Sequence, residues 1–209
     1  MDALIVIDVQ NDFCPGGKLA VPGGNEIISV INSLTPKFEQ IVLTQDWHPA
    51  SHLSFASNHA IKSPYESVEL EYGNQVLWPD HCIQSSSGAE FHPNLNTRKA
   101  GLVIRKGFRK EIDSYSAFTE NDQHTVTGLH GYLRSIEVQR LFLTGLATDF
   151  CVKWSALDAI KYGFETYVIT DAIRGINIEN SVELAFTEMK DAGVQLINSS
   201  DIDLNRTYA

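Results

Sequence analysis

No stretch of this 209-residue chain approaches the roughly 18 consecutive apolar residues that a membrane-spanning helix requires, so no membrane partner is expected. The opening MDALIVIDVQ carries an acid at position 2 and too short an apolar run to serve as a secretory leader. Cysteine is scarce. Cys14, Cys82 and Cys151 are odd in number and widely spaced, which is not a disulfide framework and points to a reducing cytoplasm. Basic residues are in short supply too: 16 Lys and Arg stand against 26 Asp and Glu, for a formal charge of −10. Nucleic-acid binding depends largely on neutralising phosphates with basic side chains, so no nucleic-acid partner is expected. The turn after the first apolar run reads DVQNDFCPGG rather than G-x-G-x-x-G, which argues against a dinucleotide-binding oxidoreductase. Repeats, low-complexity tracts and linkers are also missing, so one domain spanning residues 1–209 is expected.

What the chain does contain is an alternation. Ala3–Val9, Ile41–Gln45, Leu102–Arg105, Leu141–Gly145, Thr166–Thr170 and Val194–Ile197 are short, continuous and rich in Val, Ile and Leu, as strands buried on both faces of a parallel sheet should be. Between them, Leu129, Tyr132, Leu133 and Ile136 keep helical spacing. Asp149–Tyr162 stops at Gly163 and Glu179–Ala192 at Gly193, each glycine well placed as a helix C-cap. The pattern predicts a three-layer α/β/α fold around a mostly parallel, about six-stranded, doubly wound sheet. Residues 47–93 and 107–124 break the repeat as long, polar and mostly irregular segments, and long loops in a compact domain tend to carry function.

Open α/β sheets bind ligands beyond the carboxyl ends of their strands. Asp8 follows the first strand, Asp46 and His48 the second, Lys106 the third, and Cys151 the fourth. An acid, two potential metal ligands, a cation and a thiol therefore converge on one edge. Cys151 falls in the first turn of a helix that Thr148 or Asp149 would cap, where the dipole and free N–H groups favour a thiolate. Asp8 within reach of that thiol can take its proton and pass it to a leaving amine, and a lysine beside both would keep the carboxylate ionised. Asp46 and His48, one residue apart in an extended segment, project to the same face. His81 supplies a third ligand from the long loop. One carboxylate and two imidazoles suit a divalent transition metal, zinc foremost, with iron and manganese equally compatible with mixed N/O donors. His52 and Ser54 are candidates for further contacts there, whereas Cys14 and Cys82 read as packing.

The segments LIVIDVQNDFCPGG, TQDWHP with HLSFAS, WPDHCIQ, RKG with DSYSAF, GLATDFCV and ITDAIRGIN run in order through nearly the whole chain. In them the sequence resembles the isochorismatase-like cysteine hydrolases, and within that family the branch that cuts nicotinamide. The resemblance implies a catalytic Asp8, Lys106 and Cys151. It also implies a cis peptide at Leu146–Ala147 and an oxyanion hole formed by the N–H groups of Ala147 and Cys151. Asp46, His48 and His81 map onto the family's metal ligands. Phe13 and Trp78 fall at the pyridine ring, with Tyr115 and Phe150 as further walls. The implied activity is hydrolysis of nicotinamide, and of pyrazinamide, through a thioester, in NAD salvage. Homo-oligomer formation is left open. Rival readings are a family amidase for carbamoyl or ureido substrates, a vinyl-ether hydrolase that needs no cysteine, and a non-catalytic binding protein on the same fold. The metal-ligand set speaks against the first, and the intact Asp8, Lys106 and Cys151 set against the last.

Overall fold

Period-two alternation within single strands assigns residues to two separate cores. The structure, a computed structural model described over residues 1–202, has strand β1 (Asp2–Ile7) at the centre of its sheet. Leu4 and Val6 of β1 belong to one apolar cluster and Ala3, Ile5 and Ile7 to another, as side chains pointing alternately to opposite faces must. The first cluster is closed by helix α1 (Ile27–Leu34), through Ile27, Ile28, Ile31 and Leu34. The second is closed by α2 (Leu129–Ser135), α3 (Lys153–Lys161) and α4 (Ser181–Asp191), through Leu129, Leu133, Ala156, Ala159, Ala185 and Met189. Three layers result.

The strands that follow are β2 (Gln40–Asp46), β3 (Ser67–Leu70), β4 (Gly73–Val76), β5 (Leu102–Lys106), β6 (Arg140–Leu146), β7 (Glu165–Arg174) and β8 (Gln195–Ile197). The main sheet has six strands in the order β5-β2-β1-β6-β7-β8, every pairing parallel. From β1 the chain turns first toward β2 and β5, then crosses to β6 and continues the other way. The carboxyl ends of β1, β2 and β6 therefore meet at the point where the winding reverses, the place where such sheets hold ligands.

Several expected boundaries move. Helix α1 was not expected, and residues 47–93 are not wholly irregular, because β3 and β4 pair there as an antiparallel hairpin. The helix expected from Asp149 begins as a π-helical turn over Thr148–Val152 and becomes α-helical only at Lys153. No side chain caps it, so neither Thr148 nor Asp149 plays that part. The last helix starts at Ser181, since Glu179 and Asn180 are both left-handed. Among the described residues no helix is long and apolar enough to cross a membrane.

Candidate active site

Strand β1 ends abruptly at Asp8, which adopts a left-handed φ of 50°. A non-glycine residue in this region is strained and persists where its surroundings hold it. Here Thr44, on neighbouring β2, does the holding. Its hydroxyl donates to Asp8 Oδ1 at 2.6 Å and accepts the Asp8 N–H at 3.2 Å. Asp8 Oδ2 lies 2.8 Å from Lys106 Nζ and has no further hydrogen-bond donor among the described residues. It is the oxygen left to receive a proton.

Lys106, the last residue of β5, is fully buried, and its ammonium is surrounded by acceptors. It pairs with Asp8 and with Asp46 Oδ1, donates to the Ser114 carbonyl at 2.8 Å, and reaches Cys151 Sγ at 3.4 Å. Burial works against its charge, but Asp46 and Asp8 outweigh burial and hold its pKa well above the ordinary lysine value. Cys151 sits in the π-helical turn just past β6, and the thiol, Asp8 and Asp46 have ligand atoms within 4.8 Å of one another. The resting charge differs from the sequence expectation. Burial pushes the Cys151 thiol well above its usual range, more than Lys106 draws it down, and the Asp8 carboxylate pushes it further. Burial also raises Asp8, against the pull of Lys106. The folded interior therefore favours the thiol over the thiolate, and Asp8 stands beside it as the proton acceptor. The Leu146–Ala147 peptide is cis, as the resemblance implied, and Ala147 and Cys151 line one pocket.

Asp46 closes β2 and turns its other oxygen toward two imidazoles: Oδ2 lies 3.5 Å from His48 Nε2 and 3.8 Å from His81 Nε2. His48 Nδ1 is 2.7 Å from the Gly107 carbonyl and His81 Nδ1 is 2.8 Å from the Pro79 carbonyl. Carbonyl oxygens only accept, so each Nδ1 carries the proton and each Nε2 lone pair faces the carboxylate. Three electron-rich atoms mutually within 4.8 Å call for a shared positive charge. A divalent cation with mixed N/O preference fits that set, and a proton competes for the same place. Burial opposes charge on His48, yet Asp46 beside it holds its pKa above the ordinary value. Burial likewise works to raise Asp46, but Lys106 and His48 bring it well below the carboxylate range. Gly107, at φ 63°, lets its carbonyl reach His48, because a Cβ there would strike the imidazole. His52 and Ser54 pair with each other instead of facing Asp46. Ser54 Oγ is 2.7 Å from His52 Nδ1, while His52 Nε2 points at the Ile112 carbonyl at 3.2 Å.

Between thiol and imidazoles lies an aromatic pocket. Phe13, Trp78, Tyr115 and Phe150 all line it, together with Asp46, His81, Ala147 and Cys151. Trp78 is nearly perpendicular to Phe150, with centroids 4.8 Å apart, and donates its Nε1–H to the Tyr115 hydroxyl at 3.2 Å. Phe13 packs against His81 at 5.4 Å. Such walls suit a flat ring. The remaining lining residues, Leu19, Asp113 and Ile176, were not foreseen. Nor were Thr44 and Gln10. The Gln10 amide donates to the Asp46 carbonyl at 2.8 Å and accepts the Asp46 N–H at 2.8 Å, fixing that backbone. Neutral polar residues next to apolar strands carry no sequence signature, and only the observation that they are buried would have drawn attention to them.

Thr44→Val, which keeps the shape and removes the hydroxyl, tests the hold on Asp8. Leaving two buried polar groups on Asp8 without partners is expected to cost about 1–3 kcal/mol of stability. In thermal denaturation the variant should melt several degrees lower than the wild type. An unchanged melting temperature would mean that Thr44 does not support Asp8.

The profile of the isochorismatase domain matches residues 2–201. A curated nicotinamidase from Acinetobacter baylyi is 54% identical over 200 residues, covering 96% of this chain and 94% of its own. A solved structure of an Acinetobacter baumanii nicotinamidase pyrazinamidase superposes with a TM-score of 0.95 at 56% identity, covering 96% of this chain and 97% of that one. A pyrazinamidase of Pyrococcus horikoshii in complex with zinc superposes at 0.77 with 37% identity, covering 94% and 98% respectively.

Proposed function

The chain belongs to the isochorismatase domain family, and from that premise we propose that it is a metal-dependent cysteine amidohydrolase converting nicotinamide to nicotinate and ammonia, with pyrazinamide as a second substrate. The observation that carries this reading is the position of Lys106 Nζ, 2.8 Å from Asp8 Oδ2 and 3.4 Å from Cys151 Sγ, beside the Asp46, His48 and His81 cluster. Family membership is compatible with that reaction class. The identity of the A. baylyi and A. baumanii relatives adds the substrate.

In the proposed cycle Asp8 takes the thiol proton as Cys151 Sγ bonds to the carboxamide carbon. Burial raises the proton affinity of Asp8 and so makes it a better base than a free carboxylate, and it keeps the proton on the thiol until a proton acceptor and the substrate carbon are both in reach. Lys106 stabilises both the thiolate and the ionised Asp8 through this step. The N–H groups of Ala147 and Cys151 hold the developing oxyanion. Asp8 then returns its proton to the nitrogen, the C–N bond breaks, and ammonia leaves a thioester on Cys151. Water attacks the thioester carbon, giving one proton to Asp8; the C–S bond breaks, Asp8 reprotonates the thiolate, and the acid departs as nicotinate after losing its remaining proton to solvent. Asp46, His48 and His81 would hold a divalent cation, zinc foremost given the zinc-bound P. horikoshii relative, which would supply an electron-pair acceptor for a ring nitrogen. Phe13 and Trp78, with Tyr115 and Phe150, enclose the ring. The activity belongs to one domain over residues 1–209, set in the cytoplasm, with nicotinate passing to NAD salvage.

Benzamide tests the substrate assignment. It has nicotinamide's shape without the ring nitrogen, so it gives up one positioning contact and should show kcat/KM lower by about two orders of magnitude or more. Nicotinamide and pyrazinamide, each with a nitrogen meta to the carbon bearing the carboxamide, should both be cut well. Trp78→Ala should slow all three and keep their ranking. Equal rates for benzamide and nicotinamide in the wild type would reject the reading.

A further inference from the structure

The segment joining β7 to α4 cannot hold its own shape. Asn177, Glu179 and Asn180 all take left-handed φ values, of 61°, 49° and 66°. Asn tolerates this region, but Glu179 does not without support, and three such residues within four positions need something to hold them. A buried carboxylate grips the segment at both ends. Asp149 Oδ1 accepts the Ile176 N–H at 3.0 Å, and Oδ2 accepts the Asn177 N–H at 2.8 Å and the Ser181 hydroxyl at 2.5 Å. Asp149 lies in the same π-helical turn as Cys151, two residues before it. Gly175 lets the segment approach, since a Cβ there would strike Val182 Cγ2 and crowd Asp149 Oδ1 at 3.0 Å. Ile176 lines the same pocket as Phe13, Ala147, Phe150 and Cys151.

We propose that Asp149 is a positioning residue that ties the nucleophile turn to the 175–181 segment and thereby makes Ile176 the wall that limits which ring substituents enter. The proposal rests on the amide-hydrolase reading for its substrates, but the tie itself is a statement about structure. Three donors on one carboxylate fix the wall relative to Cys151. Removing that carboxylate frees strained backbone to relax, and Ile176 moves with it. A hydrophobic wall discriminates against an added methyl by roughly tenfold or more.

The test compares nicotinamide with nicotinamides methylated at each free ring carbon, using wild type, Asp149→Ala and Ile176→Ala. In the wild type at least one methylated isomer should be disfavoured by about tenfold or more in kcat/KM, and in both variants that ratio should shrink about tenfold. Amide exchange at Ile176 and Asn177 should be slow in the wild type and fast in Asp149→Ala. Alkylation of Cys151 by iodoacetamide should keep its wild-type rate within about twofold, a result that separates movement of the wall from collapse of the nucleophile turn. Ile176→Ala keeps the Asp149 tie and serves if Asp149→Ala does not fold. Unchanged selectivity in Ile176→Ala, unchanged exchange in Asp149→Ala, or loss of Cys151 alkylation in Asp149→Ala would each overturn the proposal. A wild type that leaves nicotinamide uncut rejects the substrate assignment, and amide exchange still decides whether Asp149 forms the tie.

Discussion

Cys151→Ala is expected to lower kcat/KM for nicotinamide by about 10⁴-fold or more while leaving the fold intact. The side chain is buried, and Lys106 Nζ reaches it at 3.4 Å. Its loss removes the only cysteine thiol among the described residues that line the pocket, and it orphans no charge, since Lys106 keeps Asp8 and Asp46 as partners. Cys151→Ser should be nearly as inactive. Asp8 is matched to a thiol, and an alkoxide is much harder to form with a carboxylate as base. Cys14 and Cys82 are the controls. Both are buried, burial raises the pKa of each, and neither lines the pocket. Their alanine variants should retain most of the activity of whatever protein folds. Kinetics on the three variants, normalised to folded protein, decide the matter: full activity in Cys151→Ala, with loss in Cys14→Ala or Cys82→Ala, would move the nucleophile elsewhere.

The second large effect concerns the Asp46, His48 and His81 cluster. His48→Ala and His81→Ala are each expected to lower bound transition metal from about one per chain to a small fraction, and kcat/KM by about two orders of magnitude. Truncating either ring deletes one of the two Nε2 atoms facing Asp46 Oδ2, at 3.5 Å and 3.8 Å. Chelation of the wild type should have the same effect, reversed when metal is returned. Because Asp46 also pairs with Lys106, metal content and rate must be read together. A variant that loses metal and keeps its rate would separate the cluster from catalysis. A metal-free wild type of unchanged activity would place the chain with relatives that work without metal.

In the His81→Ala protein the preference for nicotinamide over benzamide should shrink as well, because the anchor for the ring nitrogen is weakened. Trp78→Ala lacks that signature: it removes a wall that all three amides share, so it lowers every rate without equalising them. The contrast separates loss of orientation from loss of stacking.

How legible the site was depended on how each residue is held. Asp8, Asp46 and Lys106 could be placed because each ends an apolar run, and a parallel strand that stops at a charge delivers that charge to the carboxyl edge. The sheet itself followed from the same runs, and its strands differ from expectation mainly in length, as with β7, which continues to Arg174. Helix α1 escaped because eight residues give barely two turns of periodicity. The β3–β4 hairpin escaped because SVEL and GNQV are largely polar and only partly buried. Asp149 looked like a helix cap because its position in the sequence is that of a cap; its real partners, at Ile176, Asn177 and Ser181, lie some thirty residues away and are invisible to local pattern. The upward shift of the Cys151 thiol was not legible for a related reason. Proximity to Lys106 and to a helix start could be read from order along the chain, but the desolvation that outweighs Lys106 is a property of the folded interior.

The most direct test of the account is an acid quench of the wild type during turnover of nicotinamide, analysed by intact mass and by peptide mapping, with ammonia and nicotinate assayed in parallel. The account predicts ammonia and nicotinate in equal amounts and a transient nicotinoyl thioester that maps to Cys151. It is contradicted if nicotinamide releases no ammonia, or if ammonia is released at the wild-type rate by Cys151→Ala with no adduct on the wild-type thiol.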